Sequence, residues 1–204
     1  KGLTVFLVPT NTPGYSHTLI ETMGVTTTAT YYDNVRIPDT WRISGINQGW
    51  SLITGQLNIE RLSLASYGHV AKLYDQVLQL LQADAAWQPL LELPWVQRNL
   101  AWCHARLEAL RVMCLQAAWR MDQGSTGMVE ASTCKVYGSE LFVEVCRRLG
   151  EILGTAGALR SGNAAALDGL IEAWYRKGSV LTFGGGANEL QRTIIANAGL
   201  GLPR

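Results

Sequence analysis

Apolar residues recur at helical spacing over more than half of this chain, and that constrains the fold more than any other feature. Leu52, Leu57, Leu64, Val70, Leu73, Val77 and Leu81 follow one another at helix-like intervals, with Ile59 and Leu62 beside them. The pattern predicts one helix from about Trp50 to about Gln82. Pro89 and Pro94 bracket a connection, and a second helix is expected from Trp95 to Met121. Gly124-Ser125-Thr126-Gly127 reads as a turn, and Met128 to Leu153 as a third helix. A glycine-rich break, a short helix near Ala165–Trp174 and a last helix from about Ala187 to Ala198 complete the series. Helices of this length joined by short connections imply an antiparallel bundle.

Ahead of the bundle the character differs. Leu3–Val8 reads as a strand ended by Pro9, followed by a turn around Asn11–Gly14. Thr26–Tyr32 is rich in strand-favouring Thr and Tyr, and Val35–Ile37 is a short strand stopped by Pro38. The division expected is therefore a β-rich part, 1–46, and a helical part, 47–204. A chain that opens directly on a strand without a sheet to join is expected to be the C-terminal piece of something longer.

Composition narrows the function classes. Among 204 residues 48% are apolar and 16% charged, a charged fraction low enough to expect part of the surface to be covered by other protein. The formal net charge of +1 gives no footing for nucleic acid, and no apolar run is long enough to span a membrane. Cys103, Cys114, Cys134 and Cys146 sit in apolar helical runs without metal-type spacing. Buried free thiols in a reducing, cytoplasmic compartment are expected.

Two short stretches could carry chemistry. Gly184-Gly185-Gly186 opens the helix that begins Ala187-Asn188-Glu189, and bare backbone there would let a ligand approach closely. The run fits neither GxGxxG nor a P-loop, so a plain glycine-rich helix entry stands beside the ligand reading. Glu60-Arg61 lies in an apolar helix, LNIERLSLAS. Such a carboxylate is either a general base or half of a salt bridge. His17, His69 and His104 are too scattered for a metal site, so none is expected. Asp122 and Glu140 read as solvated or capping residues, and Trp95, Trp102 and Trp119 as core or interface residues.

Four stretches together resemble the second half of an acyl-CoA dehydrogenase. They are GLTVFLVPTNTPG (Gly2–Gly14), YYDNVRIP (Tyr31–Pro38), INQGWSLITGQLNIERLSLA (Ile46–Ala65) and GGANELQRTIIANAGLGLPR (Gly185–Arg204). The last is close to an actinobacterial form of the family's C-terminal motif, one met in steroid and lipid degradation. The resemblance implies the last strands of a middle β-domain followed by a four-helix bundle, a mainly α fold. It implies FAD near the glycine-rich helix entry, an acyl-CoA substrate, a tetramer, and electron-transfer flavoprotein as the electron acceptor. Cofactor contacts implied are Gly184, Gly185, Gly186, Ala187, Glu189 and Gly154, and substrate contacts Arg61 and Gly185. Most members place the catalytic glutamate in Y-E-G-T-x-E-I-Q-R, and aligning Gln191-Arg192 puts that glutamate at Gly185. Members that carry glycine there take the base from the bundle helix, in L-D-x-E-R-L, which matches Glu60 of LNIERL.

Three departures from the family pattern stand out. The R-x-x-F-G that meets the neighbouring subunit's FAD is missing from QADAAWQPLLELP, Gln82–Pro94. Glu151 replaces the glutamine of Q-x-x-G-G-x-G, where a carboxylate would repel a diphosphate, and Ala187 replaces the flavin-side threonine. The family arginine nine residues before Gly185 is kept as Arg176. Such losses are expected in a heterotetramer whose two kinds of subunit divide the work. This chain would then be either the catalytic subunit, using Glu60 on a bulky or steroid-derived acyl-CoA, or a non-catalytic assembling partner.

Overall fold

The computed structural model describes residues 2–125 and 127–203, apart from the Asn58 side chain. Thr126, within the expected turn, and Arg204, at the end of the C-terminal motif, lie outside the described residues. The chain divides into two compact units, 1–57 and 58–204.

In the first unit, among the described residues, the regular structure is one antiparallel hairpin, a 3-10 turn at Asp39–Trp41 and the start of a helix at Gly49. Strands β1 (Tyr15–Glu21) and β2 (Thr26–Tyr32) pair from Tyr15 opposite Tyr32 to Glu21 opposite Thr26. Thr and Tyr supply the β preference of β2, and the Tyr15 and Tyr32 rings meet edge to face at 5.4 Å. Gly14, at φ +87°, closes the base of the hairpin, where its carbonyl accepts the Asp33 N–H at 2.8 Å. A Cβ there would fall 2.1 Å from the Asp33 carbonyl oxygen, so only glycine fits. Three expectations change here. Leu3–Val8 is extended but makes no ladder: Phe6 and Arg42 form a single bridge, with Leu7 N–H on Trp41 O and Ile43 N–H on Val5 O, both at 3.0 Å. Val35–Ile37 is not a strand. β1 was not foreseen. Proline lacks an N–H, so Pro9 and Pro38 stop pairing beside the first two segments, whereas the Thr22–Val25 turn, with Gly24 at φ +106°, brings β1 onto β2.

Helices fill the rest. α1 (Gly49–Ser63), α2 (Tyr67–Ala83), α3 (Pro94–Asp122), α4 (Met128–Leu153), α5 (Leu170–Gly178) and α6 (Asn188–Ile194) follow in order. Pro94 starts α3 where a missing N–H costs nothing. α4 is the hub and packs against α2, α3, α5 and α6. Its face of Cys134, Leu141, Phe142, Val145 and Leu149 shares one buried core with Val70, Leu73 and Val77 of α2 and Cys103, Leu107 and Leu110 of α3. α6 runs on into a π-helical turn, Ile195–Gly199.

The single helix expected over Trp50–Gln82 is two helices. Ser66 adopts φ +57°, which breaks a right-handed helix, and Ala65 and Ser66 close the end of α1 with tight bonds to Leu62 O and Ser63 O. At this break the Ala65 backbone reaches α4. A Cβ on Gly138 would come within 2.4 Å of Ala65 O, so this glycine in mid-helix is needed for the approach. Leu52 and Ile59, counted into the helical period, are exposed.

Candidate functional site

The end of α1 and the turn before α6 meet in the second unit. Gly185 and Gly186 take φ +65° and +102°, conformations that L side chains rarely adopt. A Cβ on Gly185 would sit 2.6 Å from Leu64 Cδ1, 3.8 Å from Arg61 Cγ and 3.9 Å from Glu60 Oε1. The half-buried Glu60 carboxylate therefore lies beside Gly185, though 125 residues separate the two in sequence. Arg61 Nε donates to Gly185 O at 3.3 Å and ties α1 to the turn. Burial pushes the Arg61 guanidinium below its usual value and neighbouring Glu60 opposes this; the group stays charged.

Beneath the turn lies a residue that the sequence reading missed. Lys135 of α4 has no exposed surface. Its Nζ donates to Thr182 O at 3.0 Å, Gly186 O at 2.8 Å and Asn188 Oδ1 at 2.7 Å. All three ammonium protons are thus used. Burial pushes the ammonium below its ordinary value, and Glu189 leads the opposing charges. Asn188, also buried, donates to Ser139 Oγ at 3.0 Å and to Glu140 Oε1 at 3.1 Å. Glu140, read as a solvated or capping residue, is exposed, and it also accepts from Arg192 at 2.6 Å and so joins this network. A signal existed in the sequence: Lys135 interrupts the small and apolar stripe Ala131, Cys134, Gly138, Phe142.

The remaining expected residues are placed as follows. Ala187 is the N-cap of α6, with no side chain to cap it, and Glu189 is exposed in the first turn. Gly184 lines the turn, and its N–H bonds Val180 O at 2.8 Å. Gly154 stands apart. It ends α4 at φ +57°, exposed, 19 residues beyond Lys135 and so roughly 28 Å along the helix axis. Within one chain it does not join the turn. Glu151, close to it, pairs with Arg147, which bonds Glu144 as well, so its negative charge is already compensated on its own helix. Trp102 is held by Arg148, whose guanidinium carbon stands 4.0 Å from the ring centroid, while Trp119 is exposed. Burial pushes the Cys103 and Cys146 thiols up to about 12, which leaves them unreactive at neutral pH. Among the described residues no group of three or more His, Cys, Asp or Glu side chains could hold a metal, and no helix is long and apolar enough to cross a membrane.

Whether these residues suit a polar aromatic cofactor is open to test. The turn offers bare backbone, and Gln191 Oε1 is buried beside it without a protein partner among the described residues. Gln191 Nε2 contacts Gly185 O and Gly186 O only at 3.5 Å each. Gly154 has open space where a Cβ would be. The unpaired buried acceptor beside the turn and the open face of Gly154 fit such a group.

The sequence model of the acyl-CoA dehydrogenase C-terminal domain matches residues 47–200. Acyl-CoA dehydrogenase FadE26 of Mycobacterium tuberculosis is 41% identical over 215 residues, covering 100% of this chain and 53% of that protein. Among solved structures, the Tcur3481-Tcur3483 steroid ACAD superposes with a TM-score of 0.90 at 40% identity, over 98% of this chain and 52% of that one. The ChsE4-ChsE5 complex of Mycobacterium tuberculosis gives a TM-score of 0.87 at 42% identity, over 98% and 53% respectively. The chain spans about half the length of the curated relatives it matches.

Proposed function

Because this chain belongs to the acyl-CoA dehydrogenase family, we propose that it forms part of a FAD-dependent enzyme that desaturates an acyl-CoA thioester between the α and β carbons. The observation that carries the reading is Glu60 beside Gly185, two positions that the family uses in turn for its base. Glu60 takes the α-proton as general base. Gly185 leaves that carboxylate alone in the site. A glutamate at 185 would need a strained φ of +65° and would drive its Cβ into Leu64. Arg61 and the Gly184–Gly186 turn line the place where the thioester would lie. When bound, FAD supplies the acceptor for the β-hydride, and electron-transfer flavoprotein would take the electrons onward. On this chain Gly184, Gly185, Gly186, Ala187 and Glu189 would hold the flavin side. Gly154, too distant from them along α4, would serve a cofactor bound by a neighbouring subunit.

A steroid-derived or similarly bulky acyl group is the substrate class favoured, because the similar solved structures include a steroid ACAD. A second reading has its own support. The missing R-x-x-F-G in Gln82–Pro94 and the loss of the threonine at Ala187 favour a heteromeric enzyme. In it this chain would be the assembling partner and the other subunit the catalyst.

The test is flavin reduction in the full-length protein, purified with and without its partner subunit and mixed anaerobically with acyl-CoA candidates. Glu60→Gln is expected to retain FAD and lose reduction by about a hundredfold to ten-thousandfold, the range that a lost general base costs. Native reduction in that variant removes Glu60 from the mechanism and leaves the assembling reading.

A further inference from the structure

We infer that Lys135 is a positioning residue for the Glu60–Gly185 pair, holding the Thr182–Asn188 turn from below so that Gly185 stays against the end of α1. This rests on the dehydrogenation reading of the site. The turn is an awkward object to keep still. Gly184, Gly185 and Gly186 have no side chains to pack and lose more conformational freedom on ordering than any other residues. Its own backbone bonds, Gly184 N–H to Val180 O at 2.8 Å and Gly186 N–H to Phe183 O at 3.2 Å, are local and cannot set its distance from α1.

Lys135 can. Its three acceptors, Thr182 O, Gly186 O and Asn188 Oδ1, all come from one seven-residue stretch and span it from end to end. Arg61 of α1 takes the intervening carbonyl, Gly185 O. Two cations on two different helices thus grip successive carbonyls of the triglycine. The arrangement is not the cheapest way to fill the space. A buried ammonium whose direct partners are all neutral oxygens costs more than an apolar side chain of the same length. The neighbouring carboxylate, Glu140, is engaged by Asn188 and Arg192 and is not a direct partner of the ammonium. Lys135 is thus suited to holding a peptide by its carbonyls, with Asn188 held in turn by Ser139.

The experiment is amide hydrogen exchange on the full-length protein, with its partner where one is needed, comparing wild type with Lys135→Met. Met keeps the length of the stem and removes the ammonium. At exposure times too short for global unfolding, peptides covering 182–188 are expected to exchange about tenfold faster while those covering 99–110 of α3 stay protected in both proteins. In the same samples the flavin reduction rate per bound flavin should fall about tenfold with little change in acyl-CoA KM, a split that general loss of folded protein does not produce. Unchanged exchange at 182–188, a uniform rise over the helical unit, or an unchanged rate per flavin each overturns the inference. If Lys135→Met does not fold, Asn188→Ala, which cuts one of the three tethers, should raise exchange at 182–188 about threefold, and no rise overturns it. Glu60→Gln run alongside separates the two failures. A fully active Glu60→Gln defeats Glu60 as the base, and the positioning role with it, whatever the exchange shows. An inactive Glu60→Gln beside an unaffected Lys135→Met defeats the positioning role alone.

Discussion

α4 carries charge in two neighbourhoods that are built in opposite ways. Around Lys135 the ammonium is wholly buried and meets only neutral oxygens, three of them, from a single turn. Two to four helical turns further on, Glu144, Arg147, Arg148 and Glu151 form a ladder along the helix surface, cation against carboxylate. The ladder has more ion pairs, yet water competes for each of them, and a broken pair is rehydrated at little cost. Below the turn no water replaces a lost partner, so each acceptor abandoned there bears its full desolvation penalty. The number of ionic contacts therefore says less about what holds this helix than the exposure of each one.

Equilibrium denaturation of the full-length protein can break that comparison. The largest effect is expected for Lys135→Met, a loss of about 2–4 kcal/mol from orphaning three acceptors, read from the denaturant midpoint at constant slope. Arg147→Ala removes two ion pairs at once and is expected to cost under about 1 kcal/mol, less still in high salt. Equal losses for the two variants would mean that burial does not separate the two neighbourhoods. Smallest of all should be the acid response of the ladder. The Arg147 hydrogen bond, with Arg148 behind it, holds the Glu144 carboxyl below its ordinary value of 4.5. Its contribution is complete above pH 4.5 and fades as pH falls through the lowered value, because the unfolded chain then binds the proton first. In Arg147→Ala the slope of stability against pH below 4.5 should flatten, measured by denaturant titrations at stepped pH.

The sequence made the long helices of the bundle legible and hid the buried site. α3 and α4 follow from uninterrupted period and from Pro94 and the glycines around Thr126, signals that are local. The resemblance pointed to Glu60 and Gly185, but it did not say that they lie side by side, because that depends on a break the period does not record. Ser66 is an ordinary helix residue by composition, and it turns left-handed where the chain meets α4 at Gly138. Lys135 was passed over for the converse reason. Lysine is read as a surface residue by default, and only the tertiary packing of a carbonyl-rich turn over α4 makes it a buried one. β1 went unseen because its partner and its turn, not its own residues, make it a strand.

The break between α1 and α2 also governs which insertions and deletions this fold can accept. Five residues separate Glu60 from Ala65, where the backbone is locked against Gly138. Each residue added or removed between them turns the preceding helix by about 100°. A change of one residue would therefore carry the carboxylate to another face of α1 while leaving both helices intact. The connection from Asp84 to Leu93 has no such phase to keep, and length variation among natural descendants of this chain should gather there and avoid 61–65.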